Sequence, residues 1–257
     1  MPCIVSVILS MLLAFAHARD IPRNIQQFYD SVVKQRACRE PLKTGFYDRK
    51  GSADNSFVYC GDHVEDFGII YLQGGNGKLA NMDIDCDGDR TGFLDDTRCG
   101  SHPTTQSMTA MKRYVSSYSN GVPDLNPFVH DYVVFGNTGS TPGWVTFDPR
   151  RYGMEPLSLM AIVCNDKLIY GVWGDTNGDD GDNSRIGESS ISIANLCFGA
   201  GGEGDIGHDD EDILYIGFRG HDAVPGESAD WQARDSETFQ SSIQELGDKL
   251  IKRIGGP

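Results

Sequence analysis

The middle of the chain is a succession of short segments rich in β-branched and aromatic residues, separated by clusters of Gly, Asn, Asp and Pro. This pattern is typical of strands joined by turns, and most neighbouring segments have no helical pattern between them. We therefore predict a mainly β domain, a largely antiparallel barrel or sandwich. A compact six-stranded barrel of the double-psi type is one candidate topology. The predicted strands are residues 56–59, 67–72, 129–135, 144–147, 157–163, 168–173, 190–196 and 213–218.

Helical patterns flank this β region on both sides. Residues 24–34 place apolar side chains at helical spacing and predict a short amphipathic helix. Near the C terminus, Asp235 or Ser236 can cap a second helix that ends before Gly255. Its apolar stripe consists of Phe239, Ile243, Leu246, Leu250 and Ile254. We expect both helices to pack on the β domain rather than to carry a site.

The first eighteen residues have the features of a secretory signal peptide. An uncharged apolar run at residues 4–16 ends in the tripeptide AHA at residues 16–18, a small-x-small cleavage pattern. The run is shorter than the roughly 20 residues that a membrane span needs. No later stretch is long and apolar enough to cross a bilayer. We therefore expect residues 1–18 to be removed and residues 19–257 to form one secreted, extracellular, monomeric domain.

Six cysteines follow the predicted cleavage site, an even number in an oxidising compartment. They predict three disulfides, and the sequence alone leaves fifteen pairings open. Their spacing does not match that of paired zinc ligands, so a metal cluster is not favoured. The cysteines are Cys38, Cys60, Cys86, Cys99, Cys164 and Cys197.

Acidic residues outnumber basic ones, 37 to 22, and the net charge is -15 at pH 7. Nucleic acid is therefore disfavoured as a partner, because phosphate binding needs a basic face. The acids are clustered at residues 83–89, 175–188 and 203–212, and the Gly-rich third cluster is expected to be a solvated loop. A row of carboxylates repels itself, so something positive should face it. The alternative is an acidic surface that only keeps the protein soluble.

The first acidic cluster fits a strand with two different faces. Asp83, Asp85 and Asp87 alternate with Ile84 and Cys86, so one face would present carboxylates while the other anchors in the core. The same segment begins like a calcium-binding EF-hand loop. The match fails at the twelfth position, where leucine stands in place of the bidentate glutamate. Calcium binding and local turn hydrogen bonds therefore stay alternative roles for Asp85 and Asp87.

Three motifs resemble the fungal endo-chitosanases of glycoside hydrolase family 75: MDIDCDG at residues 82–88, YGVWGDTNG at residues 170–178 and IGESS at residues 186–190. The resemblance extends from about residue 28 to about residue 217. It implies endo-hydrolysis of the β-1,4 bonds of chitosan, with inversion at the anomeric carbon and without a cofactor. By motif, it places the two catalytic carboxylates at Asp175 and Glu188.

The residues themselves are compatible with this chemistry. Asp175 follows a predicted strand and Glu188 precedes one, so two carboxyls are expected at adjacent strand ends. Glutamate has the higher intrinsic pKa, and Glu188 has the less charged neighbours in sequence. We therefore assign Glu188 as general acid and Asp175, which is followed by Asp179 and Asp180, as general base.

Further residues are assigned from the chemistry of the substrate. Trp173 could stack on a sugar ring, or it could be a core aromatic of its strand. Asp83, Asp85 and Asp87 could bind the ammonium groups of chitosan, and Asn177 is placed with them as a substrate-binding residue. The alternative function is a non-catalytic secreted module that binds calcium or a cationic polysaccharide.

Overall fold

The computed structural model describes residues 19–92, 98–99, 106–118, 121–178, 183–200 and 207–255, so the predicted signal peptide lies outside it. Within these residues, no helix is long and apolar enough to span a membrane. The helices are α1 Arg23–Gln35, α2 Lys112–Tyr118, α3 Ile191–Phe198 and α4 Ser236–Leu250. The strands are β1 Pro41–Phe46, β2 Phe57–Cys60, β3 Ile69–Gln73, β4 Ala80–Asp85, β5 Tyr132–Asn137, β6 Leu159–Cys164, β7 Lys167–Asn177, β8 Glu188–Ser190 and β9 Gly207–Phe218.

The described strands form one sheet in the order β1-β2-β3-β9-β4-β8-β5-β7-β6. The long strand β9 pairs with β4 through its first half and with β3 and β6 through its second half. The pairings from β4 through β8, β5, β7 and β6 therefore return to β9 as a continuous circuit. This sheet confirms the mainly β prediction, whereas the barrel and its double-psi topology stay predictions.

The two terminal helices are confirmed. α1 buries Ile25, Phe28 and Val32, which share one face of the helix. α4 begins after Asp235, whose side chain accepts a hydrogen bond from the backbone N–H of Thr238. Each helix is thus held by the apolar stripe or the cap that its sequence indicates.

Three disulfides join the six cysteines that follow residue 18. They are Cys38–Cys60, Cys86–Cys99 and Cys164–Cys197. The first ties the segment after α1 to β2, and the third ties the end of β6 to α3. The prediction of three disulfides is confirmed, and the structure selects one of the fifteen pairings that the sequence left open.

Two of the predicted strands are wrong. Within residues 190–196, only the first residue belongs to a strand, and the rest lies in the helix α3. Most side chains of α3 are buried, and a short buried helix cannot be distinguished from a buried strand by its apolar pattern alone. Residues 144–147 contribute one isolated bridge, between Asn137 and Phe147, and otherwise have irregular backbone.

Two strands come from segments outside the eight predicted runs. β1 lies at the edge of the sheet and is largely exposed, so its sequence carries no strong strand pattern. β4 carries the first acidic cluster and confirms the interpretation of Asp83 and Asp85 as strand residues that share a face. Asp87 lies beyond the end of this strand. Residues 207–212 of the third acidic cluster belong to β9, which corrects the prediction of a solvated loop there.

Candidate active site

The two carboxylates indicated by the motifs lie on the same face of the sheet. Glu188 of β8 pairs with Asp83 of β4 on one side and with Val134 of β5 on the other. Val134 also pairs with Asp175 of β7. Directly paired residues of neighbouring strands point to the same face. Asp83, Glu188 and Asp175 therefore form a row across four strands, which we call the carboxylate row.

A bulge in β7 aims Asp175 at this face. Trp173 pairs with the residue before Val134, whereas Asp175 pairs with Val134 itself, so Gly174 is an extra residue in the strand. Trp173 and Asp175 therefore point to opposite faces, although two residues at this spacing in a regular strand would share one. Only glycine fits between them, because a Cβ at Gly174 would lie 2.4 Å from the Cβ of Tyr132.

Asp175 is 6% exposed and is held by two backbone N–H groups. Its Oδ1 accepts hydrogen bonds from Ala110 at 2.9 Å and from Thr176 at 2.7 Å. Both of these donors reach Oδ1, so Oδ2 is the oxygen placed to carry a proton. Burial raises the pKa of the Asp175 carboxyl well above its usual range, the two backbone bonds oppose this, and the charges of Asp87 and Asp124 add to it.

Asp85 and Asp87 complete a group of three carboxyls with Asp175, which we call the acid triplet. One oxygen of each lies within 4.8 Å of the other two. Asp85 accepts a hydrogen bond from the backbone N–H of Asp87 at 2.8 Å. Burial, and next the charge of Asp175, raises the pKa of Asp85 well above its usual range. Carboxyls at this distance do not all ionise at neutral pH without a cation, so they either retain a proton or face a positive group.

Glu188 is surrounded differently from Asp175. The Nη1 atom of Arg185 lies 3.6 Å from Oε1 of Glu188 and 3.6 Å from Oδ2 of Asp83. Asp83 also accepts a hydrogen bond from the side chain of Asn81 at 2.9 Å. Burial, and next the charge of Glu188, raises the pKa of Asp83 to about 8, although Arg185 opposes this. This end of the carboxylate row therefore joins one cation to two carboxyls, and Asp83 retains its proton at neutral pH.

Gly187 allows Glu188 to lie close to β4. Its φ is +87°, and a Cβ at this position would lie 2.4 Å from the side-chain oxygen of Asn81. The Gly187 carbonyl also accepts a hydrogen bond from the backbone N–H of Asp83 at 2.7 Å. The glycine of the IGES motif is thus needed for the position of the glutamate that follows it.

Arg185 is the site residue that the sequence interpretation missed. Its own backbone carbonyl accepts hydrogen bonds from the side-chain amides of Asn137 at 2.6 Å and of Asn177 at 3.1 Å. The signal was present, because a row of carboxylates requires a positive partner and Arg185 stands three residues before Glu188. Asn177 thus supports the backbone that carries Arg185, and its contact with substrate stays a prediction.

Trp173 fits the interpretation as a core aromatic, which was the alternative to a sugar-stacking residue. It is 2% exposed, and its indole N–H donates to the carbonyl of Asp175 at 2.9 Å. Together with Thr176 it also lines a small cavity of about 160 Å³. A larger cavity, of about 580 Å³, lies beside Asp124. Neither of these cavities has Asp175 or Glu188 among its described lining residues, so the carboxylate row, and not cavity size, identifies the site.

Parts of the predicted acidic clusters lie outside the described residues. They are Asp179, Asp180 and Asp182 of the second cluster and residues 203–206 of the third cluster.

Known proteins with similar sequences identify the family of the chain. Endo-chitosanase B of Aspergillus oryzae is 44% identical over 241 residues, which cover 93% of this chain and 94% of the relative. An endo-chitosanase of Aspergillus oryzae is 45% identical over 239 residues, 92% of each chain. An endo-chitosanase of Aspergillus fumigatus is 42% identical over 241 residues, 93% of this chain and 94% of the relative.

A family-wide match agrees with these relatives. The profile of the family described as fungal chitosanase of glycosyl hydrolase group 75 matches residues 82–253. The match contains all three motifs, and it includes α4, which lies beyond the limit near residue 217 that the motifs indicated. The chain therefore belongs to the fungal chitosanases of glycosyl hydrolase group 75.

Proposed function

We propose that the chain is a secreted endo-chitosanase, which hydrolyses the β-1,4 bonds between glucosamine units of chitosan. The observation that carries the proposal is the carboxylate row, in which Glu188 and Asp175 flank Val134 on one face of the sheet. Hydrolysis of a glycosidic bond by acid and base needs two carboxyls placed in this way. The family match and the named relatives support the choice of chitosan.

The spacing of the strands that carry the row is compatible with inversion at the anomeric carbon. Glu188 and Asp175 stand on strands separated by β5, so their backbones are about 9–10 Å apart at the usual strand spacing. Inverting glycosidases keep their carboxyl groups about 6.5–9.5 Å apart to admit a water molecule, whereas retaining enzymes need about 5–5.5 Å. Proton NMR of the first products tests this, because inversion of a β-linkage gives an α-anomer. A β-anomer as the first product would exclude inversion.

The surroundings of the two carboxyls favour Asp175 as general acid and Glu188 as general base, which reverses the assignment made from the sequence alone. Burial raises the pKa of Asp175, so this carboxyl keeps a proton for the leaving oxygen. Glu188 has the guanidinium of Arg185 at 3.6 Å, and a nearby cation favours a carboxylate. The sequence-based assignment depended on an intrinsic difference of about 0.4 pK unit between Asp and Glu, which burial outweighs.

In the proposed reaction, the proton of Asp175 passes to the glycosidic oxygen as the bond between that oxygen and the anomeric carbon breaks. Glu188 takes a proton from a water molecule, whose oxygen attacks the same carbon from the opposite side of the ring. The products are two shorter chains, one of which has a new reducing end. Glu188 then returns its proton to solvent, and Asp175 is protonated again.

The charge of the site supports a cationic polymer as substrate. Asp85 and Asp87 lie beside Asp175 in the acid triplet, and an ammonium group that faces these close carboxyls would favour their ionised form. An ammonium group about 4 Å from a carboxylate near the surface gains at most a few kcal/mol before desolvation, and salt weakens the contact. The acetylated nitrogen of chitin carries no charge and gains nothing from these acids. We therefore propose a preference for deacetylated polymer.

Secretion is supported by the three disulfides, which are typical of proteins made in oxidising compartments. The predicted signal peptide supports it as well. Expression of the full chain in a fungal host and N-terminal sequencing of the protein in the medium provide the test. We expect a sequence that begins at Arg19, and retention of the uncleaved chain inside the cell would exclude secretion by this route.

A reducing-sugar assay tests the activity itself. We expect new reducing ends from chitosan, with an early fall in viscosity because an endo-acting enzyme cuts within the chain, and no release from intact chitin. Absence of release from chitosan would refute the enzyme. Equal rates on chitin and chitosan would refute the preference for a cationic polymer.

A second candidate function is a non-catalytic module that binds calcium. The acid triplet favours it, because three carboxyl oxygens within 4.8 Å of one another are the type of ligand that calcium takes. Dialysis against a chelator separates the two functions. The enzyme proposal expects unchanged release of reducing ends after dialysis, whereas calcium binding without any hydrolysis would establish the module.

A further inference from the structure

Arg185 is an unexpected neighbour for a site that takes a cationic polymer. Its side chain is 18% exposed, and its Nη1 lies 3.6 Å from carboxyl oxygens of both Glu188 and Asp83. A guanidinium repels the ammonium groups of chitosan, so direct attraction of the substrate does not explain its position. The guanidinium is instead placed to affect the charge and the orientation of the Glu188 carboxyl.

The backbone of Arg185 is anchored on both sides. Its carbonyl accepts hydrogen bonds from Asn137 and Asn177. The residues on either side bond to Tyr47: the carbonyl of Ser184 accepts its N–H at 3.0 Å, and the N–H of Ile186 donates to its carbonyl at 2.9 Å. These bonds fix the backbone from which the side chain of Arg185 extends, which is expected of a group that orients another.

Arg185 lies near two carboxyls, those of Glu188 and Asp83, and their proton states determine which of them balances its charge. Burial raises the pKa of Asp83 to about 8, so Asp83 is neutral in acid and near neutral pH. The positive charge of Arg185 is then balanced by Glu188. Other ionisable groups that face the pair are Asp48 after β1, Tyr59 of β2, Asp85 of β4, and Asp209 and Tyr215 of β9.

We propose that Arg185 is a positioning residue that keeps Glu188 ionised and oriented as the general base, down to the acidic pH at which chitosan carries its full charge. The inference depends on the proposed function, because it assigns Arg185 a role in the same reaction. A base must be unprotonated to accept the proton of water, and the negative groups around Glu188 work against its ionisation. The positive charge of the guanidinium offsets them.

The test is the pH profile of kcat/KM for Arg185→Gln, Arg185→Lys and the parent protein. We expect Arg185→Gln to move the acidic limb of the profile to higher pH by about 1–3 units, since it removes an opposite charge beside the base. Arg185→Lys keeps the positive charge, so its acidic limb should lie close to that of the parent protein. Arg39→Gln is the matched control, because Arg39 pairs at 3.2 Å with Asp62, outside the carboxylate row, and is 68% exposed. Its profile should equal that of the parent.

The outcomes separate this inference from the proposed function. If Glu188→Gln keeps full activity, the proposed function fails. If Glu188→Gln is inactive but Arg185→Gln has the acidic limb of the parent, the function survives and the inference is wrong. A limb that stays shifted in Arg185→Lys would also overturn the inference, because charge would then not be the cause.

A second pair of variants covers the case in which Arg185→Gln does not fold. The double variant Asp83→Asn/Arg185→Gln removes both the guanidinium and the carboxyl of β4 that it contacts. It therefore leaves fewer buried charges unpaired than Arg185→Gln alone. Its acidic limb is compared with that of Asp83→Asn alone. We expect the combined variant to be shifted to higher pH by a similar 1–3 units, and coincident limbs would overturn the inference.

Discussion

Asp175 and Glu188 take equivalent places on either side of Val134, but the groups that surround them differ in charge. Asp175 is buried beside two further carboxyls, those of Asp85 and Asp87, and the donors that reach its Oδ1 are neutral backbone N–H groups. This end of the carboxylate row favours a retained proton.

The Glu188 end of the row contains a cation. Arg185 lies 3.6 Å from Glu188 and from its strand partner Asp83. This end therefore favours a carboxylate. Two carboxyls of almost equal intrinsic acidity are thus surrounded by groups that favour opposite proton states, as the proposed roles of acid and base require.

The largest expected effect comes from removing either carboxyl. Asp175→Asn and Glu188→Gln should each lower kcat on chitosan by about 10²–10⁴-fold, the contribution that a positioned acid or base makes. The two variants should then differ on a glucosamine oligomer with a nitrophenyl leaving group, which leaves without protonation. We expect Asp175→Asn to recover most of its rate on this substrate and Glu188→Gln to recover none. Recovery by Glu188→Gln alone would reinstate Glu188 as the acid.

The next effect concerns the bulge that turns Asp175 toward Glu188. In Gly174→Ala, the new methyl group would lie 2.4 Å from Cβ of Tyr132 and 2.6 Å from Cδ1 of Leu125. We expect a loss of about 1–3 kcal/mol in the free energy of unfolding, the usual cost of overpacking, measured by urea denaturation. Activity should fall as well, because the strand shift displaces the acid.

Gly178→Ala is the control for the bulge, since it lies in the same WGDTNG motif and its added Cβ would have no atom within 4 Å. Its stability should stay within about 0.5 kcal/mol of the parent, as for most open surface positions. Equal losses in both variants would mean that the motif glycines matter for a reason other than the bulge.

A smaller effect is expected from the acid triplet. The charge of Asp87 helps to raise the pKa of Asp175, so Asp87→Asn should lower that pKa. The general acid then loses its proton at a lower pH, and the alkaline limb of kcat/KM should move to lower pH by about one unit. Asp89→Asn, two residues further along, serves as the control and should leave the limb unchanged. A shift to higher pH in Asp87→Asn would contradict the electrostatic coupling.

The smallest effect is expected at Asp83. Because its pKa is raised to about 8, asparagine imitates the neutral form that Asp83 has in acid. Asp83→Asn should therefore move the acidic limb by no more than about 0.3 pH unit. A clear rise in KM for chitosan would instead favour the sequence-based prediction that an ionised Asp83 binds an ammonium group of the substrate.

Local pattern was sufficient for much of the fold. The spacing of apolar residues predicted α1 and α4, and runs of β-branched and aromatic residues predicted β2, β3, β5, β6, β7 and β9 in part or in full. α3 was mistaken for a strand because its buried surroundings, rather than its propensity, select the helix. β1 was missed because an exposed edge strand needs no apolar alternation.

In the candidate site, too, some features follow from the sequence and others from the tertiary structure. The sequence by itself determined which residue types are available: the motif carboxylates Asp175 and Glu188, the glycine before each of them, and six cysteines that can form three disulfides. Only the tertiary structure decided the bulge at Gly174 and the contact of Arg185 with two strands. The physical reason is that a pKa and a side-chain direction depend on burial and on charges from residues distant in sequence. No local pattern encodes these quantities.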